Sequence, residues 1–408
     1  MKSTSSVHNI SDPDPPFGSR FLTEDKDVWS HNAWDHVPPP DDQAETITAS
    51  LTKQRSAPVP FQDQIKYNEK PAKYWDNFYK ANSGNFFRDR KWLHQEFPEL
   101  VDAVKSNAGP MKIAEIGCGA GNSVFPLLST NENPDLSLYA YDYSSHAVKV
   151  VQHHPLYLDP PLGTIHASVW DLTSKDTLPD GLEEGTVDIV ILVFVLSALH
   201  PDEWARAIAN VYKILKPNGL VLFRDYGRYD LTQLRFKGGR MLQDNFYIRG
   251  DKTRVYFFEL DELSLLFTNT RIDSEKDASI LTTTTRIVDE DEAEAGSGSG
   301  TPELASPPAK SPQPELSPIS TLGEPEPTTL PEIIIHPNLL PSSPSPLSPF
   351  QQTLQRILRS SPSQLDLDSE PRSSFTTLQL GIDRRLIVNR KRQLKMYRVW
   401  MQGKWKKN

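Results

Sequence analysis

The 408-residue chain has a single cysteine, Cys118. That excludes an internal disulfide framework and any zinc site built on cysteine ligands, and makes a reducing compartment the expected setting. Long apolar runs are lacking as well. The longest, Ile189 to Leu196, is far too short to cross a bilayer, and the polar start Met-Lys-Ser-Thr-Ser-Ser leads into nothing resembling a signal peptide. A soluble, intracellular protein is expected, cytoplasmic with nucleus and mitochondrion left open, and with no membrane and no metal. Net positive charge is also missing, the whole chain standing at −9. The deficit is local, however. Residues 289–373 hold 13 acidic and 4 basic residues and 16 of the 35 prolines, so everything outside that stretch is neutral and compatible with a nucleic-acid partner.

What is present falls into five parts. Residues 1–16 are polar and Pro-rich and read as disordered. Residues 17–111 form an extension, with the aromatic-rich blocks Phe17 to Phe21 and Val28 to Asp35 expected to dock in extended form. Its 61–104 stretch reads as helix, with Tyr74, Trp75, Phe78 and Tyr79 at helical spacing. From 112 to 280 strand and helix alternate. Strands are expected over Lys112–Gly117, Leu136–Asp142, Gly163–Val169, Val187–Phe194 and Gly219–Arg224, with an amphipathic helix over Asp202–Leu215 stopped by Pro217-Asn-Gly219. Residues 281–374 are dominated by Ser, Pro, Thr and Glu and cannot bury enough apolar surface to offset their ordering entropy, so disorder is expected. Strand character returns over Thr376–Leu380 and Leu394–Met401, within a last part spanning 375–408. The acidic stretch is then an insertion, which loop-closure entropy tolerates because it grows only with the logarithm of length. The fold class is α/β, a doubly wound sheet.

The strongest local signal is Glu115-Ile-Gly117-Cys-Gly119-Ala-Gly121-Asn122 at the end of the first strand. A dinucleotide loop wants its third glycine at 122, where this chain has Asn. The G-x-G-x-G spacing resembles instead the S-adenosylmethionine (AdoMet) loop of Rossmann-like class I methyltransferases. Asp142 ends the second strand, where a carboxylate can accept both ribose hydroxyls of an adenosine. Asp171-Leu172 follows the third, where an acid commonly holds the adenine amino group in such enzymes. Helix capping is the plainer role for such acids. Cys118 reads as a packed residue. After the fourth strand, Leu192 to His200 lacks the Asn/Asp-Pro-Pro-Tyr/Phe motif of enzymes that methylate exocyclic base amines, which makes those amines poor candidates.

Longer blocks point further. Phe17-Gly-Ser-Arg-Phe-Leu22, His31-Asn-Ala-Trp-Asp35, Lys73-Tyr-Trp-Asp-Asn-Phe-Tyr-Lys80, Asn85-Phe-Phe-Arg-Asp-Arg90, Phe194-Val-Leu-Ser-Ala198, Arg224-Asp-Tyr-Gly-Arg-Tyr-Asp230, Asn245-Phe-Tyr-Ile-Arg-Gly-Asp251 and Asp383-Arg-Arg-Leu386 together resemble the eukaryotic tRNA N3-methylcytidine methyltransferases, over roughly 17–280 and 376–401. The two N-terminal blocks resemble the threonine-tRNA branch, which implies cytidine 32 of the anticodon loop as target. Serine or arginine tRNA, and an auxiliary protein such as an aminoacyl-tRNA synthetase, stay open.

By this resemblance Trp75 and Tyr79 close over AdoMet, Gly117 and Gly119 line its tail, Asp142 takes the ribose, and Asp171, Leu172 and Val193 surround the adenine. Trp75 and Tyr79 taken alone would read as a core stripe. Asp225 is the candidate carboxylate for the positive charge that develops on the methylated base, with Tyr226, Phe87 and Phe246 as stacking faces. Phosphate contacts are expected from Arg88, Arg90, Arg228, Arg235, Lys237 and Arg249. The run Arg384–Asn408, with ten Lys or Arg and no acid, reads either as a solvated sheet edge or as an RNA track through Lys404, Lys406 and Lys407. Rival readings are a methyltransferase acting on protein or small molecules, and a non-catalytic AdoMet-binding subunit that presents RNA.

Overall fold

A computed structural model describes residues 22–35, 37, 40, 42–82, 86–90, 92–175, 177–270 and 375–408. The two stretches expected to be disordered, 1–16 and 281–374, lie outside the described residues, as does the Phe17 block apart from Leu22.

The N-terminal extension begins with one short strand, β1 (Ala33–Asp35). Helices α1 (Gln43–Arg55), α2 (Phe61–Glu69), α3 (Pro71–Asn82), α4 (Leu93–Glu96) and α5 (Pro98–Ala103) follow. The helical reading of 61–104 thus holds in pieces, with new helices starting at Pro71 and Pro98, where a missing N–H costs nothing. Helix α1 has almost no apolar stripe, burying only Leu51 and Gln54, so hydrophobic periodicity could not reveal it.

The alternating region supplies β2 (Met111–Ile116), α6 (Val124–Ser129), β3 (Leu136–Asp142), α7 (Ser145–Gln152), α8 (Pro155–Leu158), β4 (Thr164–Val169), β5 (Val187–Val193), α9 (Trp204–Ile214) and β6 (Leu215–Tyr226). Then come α10 (Leu231–Leu234), the short strands β7 (Met241–Gln243), β8 (Phe246–Ile248) and β9 (Arg254–Tyr256), and α11 (Leu260–Thr268). The last two strands are β10 (Phe375–Asn389) and β11 (Leu394–Lys407). Eight strands make the main sheet in the order β1-β10-β11-β6-β5-β2-β3-β4. Strands β2 to β6 pair in parallel, while β11 runs antiparallel to both its neighbours. Strand β5 is apolar on both faces because helices cover both. Helix α9 is a plain case: Trp204, Ala207, Ile208, Val211 and Ile214 share one buried stripe, each large side chain stabilising the fold by about 1.5–3 kcal/mol.

The β6–β11–β10–β1 side of the sheet is held differently. Arg224 lies between the rings of Trp92 and Trp400, donates to Gln402 Oε1 at 2.5 Å and pairs with Asp383 at 2.5 Å. Asp383 also holds Arg385, which reaches Glu96 at 3.5 Å and Asp35 of β1 at 3.9 Å. All of these charged groups are buried. Burial alone would raise the Asp383 carboxyl, but Arg385 and Arg224 outweigh it and hold it below its ordinary value. Of the Val28–Asp35 block expected to dock in extended form, Val28–Ser30 instead winds into a short 3-10 helix, and Ala33–Asp35 docks as an edge strand locked by Asp35. A second, three-stranded sheet, β7-β8-β9, carries α1: Gln54 donates to the carbonyls of Gln233 and Phe236 and accepts from the Tyr247 hydroxyl.

Candidate active site

The parallel strands end on one edge, and there the backbone turns sharply. Gly117 and Gly119 have φ of +69° and +55°, the left-handed region that a Cβ disfavours. A Cβ on Gly117 would stand 2.6 Å from Val195 Cγ2, and one on Gly119 would fall on the Tyr79 hydroxyl. Glu115 lies underneath the loop and braces it. It accepts from Ser123 Oγ at 2.5 Å and from the Val124 N–H at 3.2 Å, with Arg90 at 3.3 Å. Burial pushes its carboxyl up to about 7 against the pull of Arg90 and these hydrogen bonds.

Beside the loop lies a partly open cavity. Gly117 and Asp142 form one end of its wall, Tyr143, Trp170, Asp171, Leu172 and Thr173 another, and Phe194, Val195, Ala198 and Leu199 a third. Asp142 accepts from the N–H of Gly119 at 2.8 Å and of Ser144 at 2.7 Å, and burial pushes its carboxyl up to about 6. Asp171 accepts from both the N–H and the hydroxyl of Thr173, fixing the turn after β4.

Pro71, Trp75 and Tyr79 of α3 close the cavity from above. The helix is seated by Asp76, which accepts from Ser144 Oγ at 2.7 Å and the His146 N–H at 3.1 Å. Burial would raise the Asp76 carboxyl; the hydrogen bonds of Ser144 and His146 prevail and lower it. Arg254 makes a second tie, donating to Asn68 of α2, to the Ala198 carbonyl and to Glu203. Asp76 stands out in the sequence only as a member of the Lys73–Lys80 block, and Arg254 lies outside every block quoted above.

Such a cavity fits one kind of ligand. Its glycine-lined end admits close approach of an extended tail. A buried acid stands where two vicinal hydroxyls could donate, and Tyr143, Trp170 and Leu172 offer flat apolar walls for a purine. AdoMet has all three parts. Trp75, Tyr79, Gly117, Asp142, Asp171 and Leu172 all line this one space. Gly119 lies just under the Tyr79 hydroxyl. Val193 does not line it: at 2 % exposure it points into the core, and Phe194 and Val195 form the wall instead.

Toward the outer rim, Phe194 has φ +61°, a strained conformation for a bulky residue that the surroundings must enforce. Its ring meets Tyr226 at 4.8 Å, and the guanidiniums of Arg90 and Arg249 lie over Phe194 and Tyr226 at 5.8 and 5.5 Å. Asp225 is fully buried, accepting from the Ser197 and Tyr226 N–H groups at 2.9 and 2.8 Å, and burial pushes its carboxyl up to about 6. It does not face the cavity as the expected catalytic carboxylate would. It holds the turn after β5 and the start of the Tyr226 segment.

The expected phosphate contacts separate in the same way. Arg88, Arg235 and Lys237 are exposed. Arg90 is turned inward onto Glu115 and Ser123, and Arg228 is paired with Glu259. Arg249 donates to the Arg254 carbonyl at 3.1 Å. Phe87 packs on Phe78 at 5.8 Å, and Phe246 is completely buried, offering no stacking face. The track through Lys404, Lys406 and Lys407 also fails in its geometry, because β11 is an inner strand and not a sheet edge. Lys404 is buried against Glu99, and Lys407 donates to carbonyls at the end of α9.

Among the described residues no cluster of His, Cys, Asp or Glu is set to hold a metal ion, and no helix is long and apolar enough to cross a membrane. Residues 114–221, from the glycine loop to β6, match the methyltransferase domain family. The tRNA(Thr) (cytosine(32)-N(3))-methyltransferase of Saccharomyces cerevisiae is 51% identical over 253 residues, which cover 62% of this chain and 40% of that protein. The tRNA N(3)-methylcytidine methyltransferase of Schizosaccharomyces pombe is 48% identical over 267 residues, covering 65% and 85%. The tRNA N(3)-cytidine methyltransferase METTL2 of Danio rerio is 41% identical over 294 residues, covering 64% and 80%. With most of the length of the last two spanned at such identity, and with the glycine loop, strand-end acids and aromatic lid gathered on one cavity, this chain belongs to the tRNA N3-methylcytidine methyltransferase family.

Proposed function

We propose that the protein transfers a methyl group from AdoMet to N3 of a cytidine in the anticodon loop of a tRNA, with threonine tRNA and position 32 as the favoured target and the cytoplasm as its place of work. The observation that carries the reading is the cavity itself, closed by Trp75 and Tyr79 and walled in part by Phe194, whose ring meets Tyr226. Bound there, AdoMet supplies an electrophilic methyl group on a sulfonium. This chain's residues would bind and orient. Gly117 lets the backbone come close, Asp142 accepts from the ribose, Asp171 and Leu172 flank the adenine, and α3 excludes water.

Cytosine N3 has its own lone pair and needs no base to free it, so positioning supplies most of the rate. The target's Watson–Crick edge must be exposed, which requires an unstacked base held on aromatic faces. Tyr226 and Phe194 offer such faces, and π systems also favour the cationic product base. Asp225 sets their geometry from behind. An auxiliary protein such as an aminoacyl-tRNA synthetase is compatible with this arrangement.

The test is nucleoside mass spectrometry on unmodified threonine tRNA incubated with purified protein and AdoMet, with serine and arginine tRNAs in parallel. N3-methylcytidine at position 32 of threonine tRNA is the expected product. Bound AdoMet with no methylated nucleoside on any of the three tRNAs, even with cell extract added, would overturn the reading.

A further inference from the structure

The small sheet β7-β8-β9 carries two arginines that serve different neighbours. Arg254, the first residue of β9, lines the AdoMet cavity beside Pro71, Leu199 and Glu203. Its side chain is only 3 % exposed, and each guanidinium nitrogen is committed to a different element. Nε donates to the Ala198 carbonyl at 3.1 Å. One terminal nitrogen donates to Asn68 Oδ1 at 3.3 Å and the other to Glu203 Oε2 at 3.3 Å. Asn68 lies at the end of α2, three residues before α3 begins at Pro71.

Burying a guanidinium opposite one carboxylate is a poor way to gain stability, because desolvation offsets the attraction. What the planar fork does well is fix several groups in set directions. Here it fixes the turn after β5, the acid ahead of α9 and the helix pair that covers the cavity.

Arg249 stands across the same turn. Its guanidinium lies 5.5 Å over the Tyr226 ring and donates to the Arg254 carbonyl at 3.1 Å. The turn is braced within itself. The Arg249 N–H donates to the Thr253 carbonyl at 2.8 Å, the Lys252 N–H to the Arg249 carbonyl at 3.0 Å, and the Thr253 N–H to Asp251 at 2.8 Å. Two residues beyond β9, the Phe258 N–H donates to the Tyr226 carbonyl at 2.9 Å. Lys252 adds a contact with the cover, lying 6.0 Å over the Tyr74 ring of α3. Residues 249–258 are therefore one braced piece, in contact with the cofactor cover and with Tyr226.

We infer that Arg254 is a positioning residue that ties the α2–α3 cover of the AdoMet pocket to the Tyr226 side of the target-base site, so that cofactor and tRNA each raise the affinity for the other. The inference rests on the tRNA reading above. AdoMet favours the seated cover through Trp75 and Tyr79. A seated cover holds Asn68 against Arg254, and Arg254 holds the segment that presents Tyr226. The effect is reciprocal, since one coupling free energy serves both ligands.

The test uses S-adenosylhomocysteine, which has the same adenosine and amino-acid parts as AdoMet but no methyl group to transfer. Its affinity is measured by calorimetry with and without saturating unmodified threonine tRNA, and tRNA affinity by fluorescence anisotropy with and without it. In the wild type each ligand should tighten the other by the same factor, about fivefold or more. Asn68→Ala removes only the α2 end of the tie. It should bring both factors below about twofold, with the ligand-free thermal midpoint within about 2 °C of wild type. Arg254→Lys keeps a charge beside Glu203 without the fork, and should lose the coupling too. A merely structural role would lower the midpoint or both affinities together and leave the factors unchanged. If the wild type makes N3-methylcytidine but shows no coupling, or if Asn68→Ala keeps the wild-type factors, the tie is overturned and the methyltransferase reading stands. If the wild type binds none of the threonine, serine and arginine tRNAs and yields no methylated nucleoside even with cell extract, both are overturned.

Discussion

Replacing Gly117 with alanine isolates the demand that the cavity makes on the backbone. At φ +69° a β-carbon costs about 1–2 kcal/mol. The added Cβ would stand 2.6 Å from Val195 Cγ2 and 3.3 Å from Cγ1, and forcing that buried side chain aside costs about 1–3 kcal/mol more. Lower entropy in the unfolded chain returns about 0.4–1 kcal/mol. The net is roughly 1–5 kcal/mol, shared between stability and AdoMet affinity according to whether the loop holds or yields. Urea unfolding and calorimetric titration with AdoMet should therefore be run together and their losses added. A Val195→Ala background removes the clash but leaves the backbone strain, so there Gly117→Ala should cost only the first part. Contact between the two sites makes such a cycle informative. An equal cost in both backgrounds would refute the steric half, and a summed cost below about 0.5 kcal/mol would refute both halves.

Four other outcomes are expected. Because an ionised carboxylate accepts from the ribose hydroxyls more strongly than the neutral acid, AdoMet affinity should fall as pH drops through about 6, where Asp142 protonates; titration calorimetry on wild type and Asp142→Asn, which should be weaker and lose that step, checks this. For the ligand-free protein the sign reverses. A raised folded-state pKa means that the Asp142 contribution to stability is present below its ordinary pKa of 3.8 and lost as pH rises through about 6. Asp383→Asn leaves Arg224 and Arg385 short of a charge and should cost about 3–5 kcal/mol in urea unfolding. Since that carboxyl is lowered, its contribution in the wild type is present above 3.8 and lost as pH falls through its depressed value. Asp76→Ala unseats α3 and should weaken AdoMet binding by about 1–2 kcal/mol, a cap-sized loss, while Asp76→Asn should retain part of it. Tyr226→Ala should lower methyl transfer to tRNA at least tenfold with AdoMet affinity within twofold, and Tyr226→Phe should keep most activity in the same mass-spectrometric assay.

The glycine loop and the strand-end acids were legible because close backbone approach and carboxylate placement demand particular residue types at fixed offsets. Asp142 and Asp171 lie on the cavity for that reason. Lines that depended on alternation of apolar and polar residues were less complete. Strand β10 runs from Phe375 to Asn389, yet only Thr376 to Leu380 reads as strand, because Asp383 and Arg385 are charged residues buried by mutual pairing and a hydrophobic count takes them as surface. The same cause misplaces Arg90 and Lys404, which look like phosphate ligands until Glu115 and Glu99 are seen opposite them. Asp225 illustrates a different limit: sequence puts it at the right strand end, and only the structure shows that it is fully buried and absent from the cavity wall.

The order of strands in the main sheet also bears on how the protein is made. Strand β11 sits between β6 and β10, and roughly 150 residues separate Tyr226 from Phe375. While the ribosome is still adding those residues, β6 is an open edge of a half-built sheet, with unpaired N–H and C=O groups that invite pairing with another chain. Closing so long a loop adds only a modest entropic cost, but pairing at that separation is slow. Arg224 is the residue most exposed to the delay. Its partners Asp383 and Gln402 arrive last, so until the final strands dock the chain carries on that open edge a guanidinium that lacks its carboxylate.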